Sequence, residues 1–272
     1  MATRLVIEAG RSERQYWRDL WLYRELFYFL AWRDFLIRYK QTAVGVLWSL
    51  IRPVLTTLVL VMVQKYGNLP TGGAPGPLFL FAGLLPWQFF STALAESGNS
   101  LVANANLISK IYFPRMVVPA ASSIVCFVDF LISSAFLVLL MFYYRFVPPV
   151  QIVVLPFFVL LTFAASLGAG LWISALMVKY RDFRFIVPFI IQFGLYVSPV
   201  VLMTASIPAR WRLIYSLNPV VGIIDGFRWC LLGRENLIYW PGLAASITCV
   251  TLLLMSGLWY FRKTERTFAD VI

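Results

Sequence analysis

Few residues in this 272-residue chain are able to do chemistry, and their positions are more telling than their number. Arg52, Glu96 and Asp129 interrupt runs that are otherwise apolar. A charge set among residues that cross a bilayer must face protein or water, so these three are candidates for a static ion pair, a transport gate or an ion relay. Catalysis finds little to work with. The chain has no histidine, the commonest general base and the commonest metal ligand. None of its five lysines, Lys40, Lys65, Lys110, Lys179 and Lys263, follows a glycine, so no Walker-type phosphate loop is present and no ATP hydrolysis is expected of it. No two acids share a polar loop at a spacing suited to glycosyl transfer or hydrolysis. Cys126, Cys230 and Cys249 lack metal-ligand spacing, and neither a metal site, a disulfide nor a cofactor is predicted.

The elements that hold these residues are set by composition. With 61% hydrophobic residues, 17% aromatics and 13% charged residues, the chain is too apolar for a soluble domain and reads as an all-α integral membrane protein. One transmembrane domain over 1–272 is predicted: an N-terminal cytoplasmic and interfacial segment (1–42), a six-helix membrane bundle (43–262) and a cytoplasmic tail (263–272). Runs near 43–64, 78–101, 116–143, 152–177, 185–203 and 240–261 each approach the ~20 residues that span a ~30 Å hydrocarbon core. Arg52 then lies ~15 Å above the inner face, Glu96 roughly 8 Å and Asp129 roughly 20 Å, which puts either acid within reach of Arg52.

Between the runs the sequence has distinct textures. Residues 16–40 mix tryptophan, tyrosine and leucine with a charge every few positions, which suits an amphipathic helix at the headgroup layer or, alternatively, a helix packed on the body of the protein. Residues 67–77 are a glycine- and proline-rich reversal. Ala164, Ala165, Ser166, Gly168, Ala169, Gly170, Ser174 and Ala175 predict close helix packing in the fourth run. Asp182, in the charged turn Lys179–Arg184, pairs locally or caps the next helix. Residues 204–239 hold apolar pieces too short to cross, broken by Asn218-Pro219 and Asp225-Gly226, which predicts re-entrant helices between the fifth and sixth spans.

Orientation follows from charge. Although the net charge is +11, the basic residues flank apolar runs, so they point to membrane orientation and not to nucleic acid. Sixteen Lys and Arg fall on the side holding both termini, residues 104–115 and the 179–184 turn, against six on the other side, so the first side is predicted cytoplasmic. On that side Asn104–Arg115 forms a short amphipathic segment: Leu107, Ile108, Ile111 and Tyr112 share one face, and Pro114 ends the turn.

Six stretches, in order, "RDFLIRYK", "GVLWSLIRP", "GLLPWQFF", "NLISKIYFPR", "KYRDF" and "NPVVGIIDGFR", resemble the permease subunits of ABC-2 type exporters that move O-antigen, capsule and teichoic-acid polysaccharides. The resemblance implies a homodimer of this chain in the bacterial inner membrane, joined by two copies of a separate ATP-binding cassette subunit that binds ATP and Mg. The cargo it implies is a lipid-linked polysaccharide moving outward between two permease chains. It also casts the 104–115 segment as a coupling helix, with Asn104, Leu107, Ile108, Lys110, Tyr112, Phe113 and Arg115 at the ATPase. A long glycan needs a ladder of aromatic faces more than a deep pocket, and Trp48, Phe81, Trp87, Phe193 and Tyr196, with Arg52, are the expected channel residues. Basic residues near the N-terminal helix would meet the lipid pyrophosphate. The alternatives are export of a smaller lipid or drug, or an ion-coupled secondary transporter, against which no inverted repeat or matching pair of broken helices is present.

Overall fold

The computed structural model describes residues 13–40, 47–234 and 237–268, and among these every regular element is helical. The expected start of the first span at residue 43 and the N-terminal twelve residues lie outside them. Two helices, α1 (Glu13–Leu22) and α2 (Arg24–Lys40), precede α3 (Leu47–Tyr66), α4 (Gly76–Ala103), the short α5 (Ala105–Lys110) and α6 (Val117–Tyr143). A 3-10 turn at Val150–Val154 leads into α7 (Leu155–Lys179), followed by α8 (Phe183–Val197), α9 (Ala209–Tyr215), α10 (Pro219–Leu232) and α11 (Trp240–Glu265).

Among the described residues five helices are long and apolar enough to cross a membrane, α3, α4, α6, α7 with its 3-10 turn, and α11, where the sequence predicts six. The difference lies in the fifth run, expected over 185–203. Pro199 cannot donate a backbone hydrogen bond and disfavours helix at the residue before it, so α8 stops at Val197. Its 15 residues reach only about 22 Å. Residues 16–40, expected as one helix, break at Tyr23 into α1 and α2. Leu30 is buried and Leu26 and Phe27 pack against the body of the protein, while Trp21, Tyr28, Phe29 and Trp32 stay exposed.

The bundle is built around α4. Of its most apolar 18 residues 78% are buried, against 17% for α3, which rests on one side of the bundle. Small residues let its neighbours close in. Gly170 of α7 meets Ser97 of α4, and a Cβ on Gly168 would lie 2.7 Å from the backbone of Leu254 on α11, too close for any side chain. The small-residue run in α7 therefore does the packing its composition predicts.

The extended stretch after α8 exposes carbonyls with no helical partner, and a single buried side chain takes them up. Arg228 of α10, 1% exposed, donates from Nη1 to Pro199 O at 2.5 Å and Leu202 O at 3.2 Å, and from Nη2 to Val200 O at 2.5 Å. Its Nε donates to Phe79 O of α4 at 3.3 Å, and the guanidinium lies 3.7 Å from the centre of the Phe79 ring. Asn218 caps α10 by accepting from Val220 N, and Gly233, in the left-handed region at φ 68°, closes it. Arg228→Met should leave three carbonyls unpaired at about 1–3 kcal/mol each, lowering the melting temperature in detergent by many degrees. A variant that melts with the wild type would show that other groups hold this segment.

Candidate functional site

Helix α2 runs alongside α6, and its last two turns carry the ionic centre of the molecule. Arg33 Nη2 donates to Asn104 Oδ1 at 2.7 Å, just past the end of α4. Further along, Arg38 Nη2 reaches Glu96 of α4 and Nη1 reaches Asp129 of α6, both at 2.6 Å, while the Tyr39 hydroxyl donates to the other oxygen of Asp129. Asn104 and Glu96 stand about 12 Å apart by helical rise, so α2 climbs along α4 and does not lie across its end. Burial opposes the Arg38 charge, yet Cys126, Asp129 and Glu96 together outweigh it and hold its pKa above the usual arginine range. Burial, and the hydrogen bond it gives Asp129, raise the Tyr39 hydroxyl.

This corrects the expected pairing. The partner of Glu96 and Asp129 is Arg38 and not Arg52. Ser133 of α6 donates to Ser49 O at 3.4 Å, and Ser133 lies about 24 Å of helical rise beyond Val117, so Arg52, one turn past Ser49, stands level with the second half of α6. The sequence signal for Arg38 is its place among aromatics next to Tyr39; nothing local names partners 58 and 91 residues away.

Arg38, Glu96 and Asp129 form one wall of a cavity of about 560 Å³ among α2, α3, α4 and α6, whose other walls carry Trp48, Arg52, Phe81, Gln88 and Phe89. Of the expected channel residues, Trp48 and Arg52 are exposed into this space. Phe81 borders it but is 1% exposed and packs on Phe136 of α6. Trp87 is buried, with its ring against Gly194 of α8 and Phe90, so in this chain it joins α4 to α8. Phe193 and Tyr196 project outward from α8 in a row with Phe185 and Phe189, and the Phe189 and Phe193 rings are stacked at 6.0 Å.

The segment 104–115 folds as α5 and an extended tail. Ile108 and Phe113 are buried with Leu30, Leu101 and Phe261, so they fasten the segment to the bundle. Leu107 is half-buried, whereas Lys110, Ile111 and Tyr112 face outward. Arg115 is tied to the end of α11: its backbone N–H donates to Glu265 Oε1 at 2.6 Å and its guanidinium to the Glu265 carbonyl. Arg262 lies 4.6 Å from the ring of Tyr16, which brings α1 to the same corner.

Comparison with known proteins gives a consistent result. Residues 25–232 match the family described as ABC-2 type transporter. The chain is similar to the O-antigen export system permease protein RfbA of Myxococcus xanthus, 28% identical over 261 residues that cover 94% of this chain and 98% of the relative. It is also similar to proteins of the same name from Klebsiella pneumoniae, one 26% identical over 253 residues and one 28% identical over 250, each covering 88% of this chain and 92% of the relative.

Arg38→Ala would leave Glu96 and Asp129 as two unpaired carboxylates. These groups are only partly buried, so a loss of about 1–3 kcal/mol is expected, between the surface and interior limits. Adding Glu96→Gln and Asp129→Asn should restore part of the melting temperature. No recovery in the triple variant would show that Arg38 acts by packing and not by charge.

Proposed function

The chain belongs to the ABC-2 type transporter family, and we propose that it is the membrane-spanning permease subunit of an ATP-driven exporter carrying a lipid-linked polysaccharide outward across a bacterial inner membrane. The observation that carries this reading is the arrangement of the 104–115 segment. It is pinned from below by Ile108 and Phe113 and offers Lys110, Ile111 and Tyr112 outward. A protein without a phosphate loop needs such a handle to receive motion from a separate ATP-binding subunit, two copies of which would serve a pair of permease chains. Tyr112 and Ile111 are the apolar anchors of that contact and Lys110 its polar rim. Ile108 and Phe113, assigned to the contact from sequence, serve it indirectly by fixing its position.

The relatives named for O-antigen export support a glycan as cargo. Two chains, meeting across the thinly covered α3 and α8, would place the Phe185, Phe189, Phe193 and Tyr196 row against the passing polymer, where aromatic faces cover sugar C–H faces without tight binding. The 16 to 6 charge split supports a cytoplasmic side for both termini and the 104–115 segment. On this reading α9 and α10 form the re-entrant region on the outer side, with Asn218 accepting from Val220 N at the start of α10 and Arg228 of α10 meeting the carbonyls of the stretch that leads in from α8.

Three measurements test this. In the complex with its ATPase, Tyr112→Ala should cut transport-coupled ATP hydrolysis at least several-fold without shifting the melting temperature. Ile108→Ala should instead destabilise the chain by about 2–4 kcal/mol. Unchanged hydrolysis in Tyr112→Ala would reject the docking role. Ser109→Cys in cells should react with a maleimide only after the inner membrane is permeabilised, and labelling from outside would invert the topology. Deleting the gene should remove a surface polysaccharide and leave lipid-linked polymer in the cytoplasm; unchanged surface glycans would reject the cargo.

A further inference from the structure

From Ile111 the chain leaves α5 in an extended conformation, and Pro114 has no N–H to give, so no helix carries the exposed Tyr112 into the start of α6. Helix α6 has no side-chain cap at its own first turn. The place is filled from 150 residues away. Glu265, the last residue of α11, accepts at Oε1 from the Arg115 backbone N–H at 2.6 Å, and its backbone carbonyl accepts from the Arg115 guanidinium. Each charge lies where the dipole of the other helix favours it, an acid at the amino end of α6 and a cation at the carboxyl end of α11. Phe261 and Phe268, on either side of Glu265, are fully buried and pack edge-to-face at 5.4 Å, in the same apolar cluster as Ile108 and Phe113. The end of α11 thus supplies both a floor and a fastening for the segment that offers Tyr112.

We propose that Glu265 is a positioning residue for the ATPase contact: with Arg115 it forms a reciprocal clamp that seats Tyr112 on the end of α11. This role rests on the exporter reading of the chain. Tyr112 stands three residues from Arg115, about 10 Å of extended chain, so fixing Arg115 confines the ring to a short arc between two anchors. Both bonds of the clamp join a side chain to a backbone group, so they fix where the main chain of the segment lies and do not merely bring two charges together. A partly buried charged contact adds little net stability over an apolar residue of the same volume, so loss of the clamp should appear in coupling before it appears in melting. Toward its opposite end α11 holds the other short helices: Ser246, fully buried, accepts from Gly222 N of α10 at 3.0 Å and donates to Ser216 O, just past α9, at 2.9 Å. A segment seated on α11 is therefore joined through one helix to α9 and α10.

The test uses the full complex with its ATPase in nanodiscs. Glu265→Met keeps the side-chain volume and removes the acceptor, whereas Glu265→Gln keeps an acceptor for the Arg115 N–H without the charge. Per folded complex, Glu265→Met should lower the kcat of transport-stimulated ATP hydrolysis at least several-fold with the KM for ATP unchanged, and Glu265→Gln should retain most of the rate. Adding Arg115→Gln to Glu265→Met should cost nothing further, because one clamp is lost only once. A second measurement needs no ATPase: with the native cysteines replaced, spin labels at Ser109→Cys and Thr267→Cys, both exposed, should give a narrow distance distribution that broadens in Glu265→Met. Wild-type kcat in Glu265→Met, an equal loss in Glu265→Gln, or a raised KM with kcat intact would overturn the role. So would additive losses in the double variant, or a label distribution that stays narrow. If Tyr112→Ala uncouples hydrolysis and Glu265→Met does not, the clamp alone fails; if neither does, the docking reading fails with it.

Discussion

One guanidinium makes the interrupted half of this bundle possible. A backbone that leaves the helical state within a nonpolar surrounding must find other partners for its carbonyls, because no water is there to take them. Arg228 meets Pro199, Val200 and Leu202 together and rests on Phe79, so a single side chain of α10 joins the break after α8 to the central helix α4. Gly83 of α4 leaves the room: a Cβ there would lie 2.5 Å from Nη2. Asp225, one turn earlier on α10, is also buried. The short α8, the placement of α10 and the missing side chain at residue 83 are one arrangement seen from three elements.

A second arrangement links distant parts through α2. Arg33 holds Asn104, where α4 hands over to α5, and Arg38 holds Glu96 two turns higher and Asp129 on the neighbouring helix. Arg115, at the other end of the 104–115 segment, is held by Glu265 of α11. The segment is thus attached at both ends by charged hydrogen bonds and in the middle by Ile108. Its exposed tip therefore lies between two attachments, one leading through α2 to the cavity and one through Arg115 to α11.

Much of this was legible in the sequence, for physical reasons that also mark where legibility stopped. Length and hydropathy identify α3, α4, α6, α7 and α11 because each carries its own signal in about twenty consecutive residues. The fifth run looked complete from 185 to 203 because Pro199 sits inside an apolar stretch, and hydropathy does not register a lost donor. Arg228 counted only as an outside charge, since nothing nearby in sequence announces that its partners are carbonyls. The acids at 96 and 129 call for a cation, and along the membrane runs the sequence offers Arg52 as the nearer candidate. Periodicity puts Leu107, Ile108, Ile111 and Tyr112 on one face, but α5 ends at Lys110 and the chain is extended at Ile111, so Ile108 and Phe113 turn toward the bundle while Ile111 and Tyr112 turn away.

The contrast between α4 and α3 bears on how such a protein changes over generations. The seams where Gly168, Gly170 and Gly257 meet their neighbours admit no added atom, so these positions are closed to drift. The outward faces of α3 and α8 carry large side chains that the chain itself does not pack against, and there substitution costs little folding energy. Selection can therefore revise those faces without first repairing the bundle. A single scaffold could in this way give rise to descendants adapted to chemically different cargo.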